Sequence, residues 1–132
     1  MAVAPFQEAQ LHAGLFNEQE FFRCWPYLED ACKESIGLTM QILEDGLRDG
    51  SYALHTSDHA AIITEYIDLY FGRILYFSAA GGDLAEILTM KDLIEADNIK
   101  MGIDKFMIDG RPGWAKVLPD YQRKTVTLTK GF

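Results

Sequence analysis

Glu65 is the carboxylate whose setting suits acid-base chemistry. In Ala61, Ile63, Glu65 and Ile67 a period of two places it on the same strand face as three aliphatic side chains. A carboxyl group partly stripped of water there gains a raised pKa and can accept a proton from an amine. The same position equally suits a solvated carboxylate on an exposed side of a sheet. The histidines offer less, because His55 and His59 flank a turn and, with His12, lack Asp, Glu or Cys partners at ligand spacing. No metal site is therefore expected. Cys24 and Cys32 lie in an apolar-periodic segment without the spacing of a zinc or redox pair, and read as free thiols.

A second concentration of unusual residues is Ile108-Asp109-Gly110-Arg111-Pro112-Gly113-Trp114. Gly supplies backbone angles that other residues avoid, Pro112 suits a first helical position, and Trp114 is a large apolar anchor with one polar handle. The run reads as a strand-to-helix junction pinned to a core. Arg111 either offers its guanidinium to a phosphate or carboxylate, or ties the junction to Asp109 or Asp120.

These residues must be held by one domain. With 132 residues, 48% of them hydrophobic and 24% charged, the chain has an ordinary globular composition and can bury a sizeable core. Its net charge of -8 repels phosphate backbones. Arg111, Lys116, Arg123, Lys124 and Lys130 do gather late in the chain, but without the aromatic interleaving of a nucleic-acid module they read as a solvated basic edge. No apolar run approaches the ~20 residues of a membrane span, and Met1–Phe6 lacks the charged start of a signal peptide. Neither nucleic acid nor membrane is an expected partner, and a reducing, cytoplasmic location follows.

Residues 1–16 show no clear period and are expected as an arm or an irregular first strand; residues 17–132 form the domain. Asn17 with Glu20 resembles a capping box, and Phe21, Trp25, Leu28 and Cys32 recur at helical spacing. Pro26 implies that this helix either kinks or starts its regular part there. A second helix runs from the Thr39 cap to a stop at Gly50, with Met40, Leu43 and Leu47 on one side. Ser51–His55, Ala60–Asp68 and Gly72–Ala80 read as strands of an antiparallel meander. Asp83 with Glu86 caps the longest helix, which ends near Gly102; Ile103–Ile108 is a strand, Pro112–Leu118 a short helix and Lys124–Thr129 a closing strand. The order is α-α-β-β-β-α-β-α-β, an α+β or mixed α/β fold.

That order, with strand Gly72–Ala80 opening through Gly81-Gly82 into a helix, resembles the GNAT superfamily of acyl-CoA-dependent N-acyltransferases. The run Gly110–Leu118 is similar to GNAT-like proteins of bacteriophages and prophages, which carry Gly-Arg-x-Gly-Trp at this junction. The resemblance covers residues 17–132. It implies a central, mostly antiparallel twisted sheet with helices on both faces.

In enzymes of that superfamily a Gln/Arg-x-x-Gly-x-Gly/Ala turn holds the CoA pyrophosphate on backbone N–H groups at a helix start, where unpaired donors and partial positive charge collect. Carried over, the acetyl-CoA contacts fall on Ala79, Ala80, Gly81, Gly82 and Asp83, with Ser78 at the first pattern position, Gly81 matching and Asp83 at the last. A carboxylate there caps the helix and repels a pyrophosphate. The superfamily's tyrosine acid, which protonates the leaving thiolate, aligns with Leu118; Tyr121, three residues on, is the candidate substitute beside Glu65 as base. The pattern is that of a GNAT-like protein of phage or prophage origin with reduced or absent acetyltransferase activity, a virion-associated or interaction protein. The alternative is an acetyl-CoA-dependent N-acetyltransferase acting on an amine. Partners are then an acyl-CoA in the active case, or virion proteins or further copies of the chain, in the host cytoplasm or in the virion.

Overall fold

A computed structural model of the chain describes residues 16–35, 37–109 and 113–131. Apart from Phe16, the arm expected over residues 1–16 lies outside these, as do His12, Gly110, Arg111 and Pro112.

Local signals start the first two helices among the described residues. The Asn17 side chain accepts the Glu20 N–H at 3.1 Å and opens α1, Glu18–Glu34, satisfying one of the donors that every helix start leaves unpaired. Pro26 lies inside α1, which begins eight residues before it, and the residue sits on the exposed side of the helix. Thr39 accepts the Ile42 N–H at 3.2 Å to start α2, Met40–Asp49. Gly50, at φ +86°, then stops α2 in the left-handed conformation that glycine adopts without strain.

The chain next forms strands β1 (Tyr52–Thr56), β2 (Ala60–Leu69) and β3 (Gly72–Gly82), an antiparallel meander. Helix α3, Leu84–Lys100, crosses back so that β4, Phe106–Ile108, lies parallel to β3, and the single turn α4, Trp114–Val117, follows. Among the described residues the fold is α+β, with four helices and a mixed, mostly antiparallel open sheet in the order β1-β2-β3-β4.

Successive residues of β2 serve two cores, because strand side chains alternate between faces. Ala60 and Ile62 pack with Leu75 and Phe77 of β3 against Ile87, Met90 and Ile94 of α3. Ala61 and Ile63 pack with Ala79 against Phe21, Cys24 and Leu28 of α1 and Leu43 and Leu47 of α2. This double burial explains why β2 begins as an unbroken apolar run. Across from Ile63 and Thr64 the register slips by one residue, since these pair with Ala79 and Phe77, and Ser78 is left as a bulge.

Three expected elements change. The strand over Lys124–Thr129 does not form: residues 121–131 contain no helix or strand, and residues 122–131 are all exposed. Alternation supplies a face, whereas a strand also needs a neighbouring edge for its hydrogen bonds, which these residues do not have among the described ones. The order therefore ends α-β-α. The strand over Ile103–Ile108 contracts to three residues, and the helix over Pro112–Leu118 to the turn Trp114–Val117. Among the described residues no helix is long and apolar enough to cross a membrane.

Candidate functional site

At the junction between β3 and α3, where the resemblance led a cofactor to be expected, the chain's own backbone packs closely. A Cβ on Gly81 would stand 2.0 Å from the Tyr27 carbonyl oxygen of α1, and one on Gly82 would stand 2.2 Å from the His59 carbonyl oxygen. Gly82 also has φ +110°, which L side chains rarely adopt. Both glycines thus let the protein's own backbone approach from two sides. The Asp83 N–H donates to that same His59 carbonyl at 2.8 Å.

Asp83 then caps α3, its carboxylate accepting the Glu86 N–H at 3.0 Å. Glu86, one turn in, accepts the His59 N–H at 2.8 Å, lies 3.0 Å from His59 Nδ1, and accepts the Ser57 hydroxyl. Hydrogen bonds from Ser57 and then His59 hold its carboxyl below the usual range. Two carboxylates therefore sit at the positive end of the α3 dipole. The start of α3 is neutralised from within and tied to the β1–β2 turn.

Beside this junction β3 and β4 part. Their pairing ends at Phe77 with Ile108, while β3 continues to Gly82. In the gap lies a cavity of about 50 Å³. Ile62, Phe77 and Ile87 form its apolar wall, Ala79 and Ala80 line it from β3, and Trp114 and Leu118 close it from α4 and the residue after it. Ser78, Lys91, Asp109, Glu34 and Ser35 supply its polar groups. At roughly 10–15 Å³ for each water-sized centre, it admits a small group or a narrow chain.

Glu65 reaches this cavity through Ser78. The Ser78 hydroxyl donates to Glu65 Oε2 at 2.8 Å, and the bulge is what turns that buried serine toward the carboxylate. Tyr76 stands nearby with its phenol pushed up to about 12, by burial first and then by the charges of Asp109 and Glu65. Tyr121 belongs to a separate network. Its hydroxyl donates to Glu95 of α3, and Lys91 Nζ lies 5.6 Å from its ring centroid. Burial, and then the bond to Glu95, raises its phenol well above the ordinary range, so it stays protonated and its proton is already committed.

The five expected cofactor positions, Ala79 to Asp83, are thus contiguous at the end of β3, with Ala79 and Ala80 in the cavity wall and Gly81 to Asp83 engaged by the chain. Glu65 and Tyr121 sit in different hydrogen-bond networks. Sequence reasoning treated Ser78 only as a departure from a pattern and did not single out Lys91. The bulge that gives Ser78 its place depends on the register between two strands, which leaves no local mark.

His55, expected only as a residue flanking a turn, is fully buried, with Nε2 at 2.9 Å from Thr64 Oγ1. Alternation with Ala53 was the available signal. Among the described residues no three His, Cys, Asp or Glu side chains gather in a way that could hold a metal ion. Cys24 and Cys32 are free thiols, both raised in pKa by burial. No family model, no curated protein and no solved structure matches this chain.

Proposed function

We propose that this chain is a GNAT-like protein of phage or prophage origin that keeps an acyltransferase scaffold, does not use acyl-CoA, and works as a virion-associated or interaction protein. The observation that carries this reading is Asp83. Its carboxylate occupies the helix start where a CoA pyrophosphate would bind, accepting a backbone donor at 3.0 Å. Gly81 and Gly82, filled by Tyr27 and His59 backbone, leave that turn without an open cradle. The commitment of the Tyr121 proton to Glu95 supports the same conclusion, since a general acid must release its proton to the leaving thiolate.

One observation favours the alternative, an acetyl-CoA-dependent N-acetyltransferase. The parting of β3 from β4 beside Ala79 and Ala80 leaves a slot that a thioester arm could enter, and Glu65 is linked to it through Ser78. Thermal unfolding with and without millimolar acetyl-CoA separates the two. The expected result is no shift. A ligand at a hundred times its Kd would stabilise by about 2.7 kcal/mol, so a clear rise in Tm overturns the proposal. The virion role is read by mass spectrometry of purified particles of the phage or induced prophage that encodes the chain, where its peptides are expected.

A further inference from the structure

Strand β4 ends the sheet, and its outer side carries no strand among the described residues. The Leu75 N–H donates to the Lys105 carbonyl at 3.1 Å, which sets the alternation along β4. Lys105 and Met107 turn their backbone groups toward β3, and Phe106 and Ile108 turn theirs to the open edge. An edge of this kind is a template for another strand.

The same chain holds a segment built as a strand and left unpaired. In Thr125-Val126-Thr127-Leu128-Thr129 the threonines share one face and the two aliphatics the other. Val126 and Leu128 are 67% and 89% exposed, an unfavourable state for β-branched and aliphatic side chains in alternation. Residues 122–131 carry Arg123, Lys124 and Lys130 and no acidic residue, which leaves nine basic against twenty acidic residues, a net -11, on the rest of the chain. At the edge itself Asp109 stands at one end, and Asp104 at the other is paired with Lys105 at 3.6 Å. A basic segment and the acidic remainder of a second copy are complementary.

We propose that residues 124–129 of one copy add as a strand to the β4 edge of a second copy, in a reciprocal exchange. The occupant comes from a second copy because the chain's own segment leaves from Tyr121, held on Glu95 of α3, and its own edge stays uncovered. Ten extended residues reach about 33–36 Å, against a strand spacing of about 4.8 Å, so the segment can cross to a neighbour. A two-fold arrangement makes each copy both donor and acceptor and closes the assembly at two. Main-chain bonds supply the affinity, and Val126 and Leu128 gain cover as the sheet widens.

Light scattering after size exclusion, over a micromolar to submillimolar series, is expected to give twice the 14.9 kDa chain mass, with the dimer fraction falling as salt rises. Hydrogen exchange is expected to be slowed at Val126–Leu128 and Ile108 in the dimer. Thr127→Pro removes a backbone donor from an exposed position and is expected to return a single-copy mass and fast exchange, with the circular dichroism of the domain unchanged. Leu128→Glu, which removes the aliphatic side chain and lowers the segment's positive charge, gives the same readout without a proline. A single-copy mass across the series, a dimer whose residues 124–129 exchange freely, or a dimer that persists in either variant overturns the proposal.

Discussion

Replacing Gly81 with alanine is expected to destabilise the protein by about 3 kcal/mol, a fall in Tm of roughly 10 °C. The added methyl would stand 2.0 Å from the Tyr27 carbonyl oxygen and 2.7 Å from its carbon, and both atoms belong to the backbone of α1. A flexible side chain could swing away; a helix whose Phe21, Cys24 and Leu28 fill the core under it can move only by giving up packing. Gly113→Ala is the control, since its Cβ meets nothing within 4 Å, and it is expected to stay within about 0.5 kcal/mol of the parent. Chemical denaturation of the three proteins decides the matter. Equal midpoints for Gly81→Ala and the parent would refute the packing role and return Gly81 to the list of ligand contacts.

Acid is expected to weaken the fold well before its carboxylates protonate. His55 is fully buried, and burial pushes its pKa down to about 3, so the native state keeps it neutral while the unfolded chain protonates it near 6.5. The stability this contributes is complete above pH 6.5 and is lost as the pH falls toward 3, by about a factor of ten in the folding constant for each unit. Between pH 6.5 and 5 the loss is on the order of 2 kcal/mol. Glu20, Asp49, Asp68 and Glu86 have lowered pKa values and lose their contributions only at more acid pH, below that window. Urea unfolding at several pH values should therefore show a steep limb from 6.5 to 5. In His55→Gln that limb flattens, whatever the variant costs at pH 8. Parallel limbs for both proteins would show that His55 is not the group responsible.

The sequence was most legible where cause and effect lie within one helical turn. Asn17, Thr39 and Asp83 each cap the helix expected of them, accepting the N–H three residues on, and Gly50 takes the left-handed angle expected of a helix stop. The meander was legible because β-rich runs and tight turns are also local. Lys124–Thr129 misled because period two reports a face and says nothing of an edge to pair with. The site was less readable for the same reason. Gly81 takes its meaning from Tyr27, distant in sequence, and Ser78 meets Glu65 only because a bulge shifts the register. Asp83 was the exception. Its cap is local, so the carboxylate at the α3 start could be read from residue types alone.

The short ladder between β3 and β4 also sets where the native protein opens. The meander is pinned by cores on both faces and by ladders that run its length, whereas β4 is held by three residue pairs on one side and by Phe106 and Ile108 against one core. Cooperative units come apart in order of their support, so the amides of β4 are expected to exchange through a low-energy local opening while those of central β2 wait for global unfolding. Release of β4 would widen the cavity beside Phe77 and Ile108 and loosen the turn at Trp114, coupling access to that space to the fraying of one strand. The edge is expected to be where the native protein opens first, and whatever pairs with it to slow the rate at which the interior is exposed.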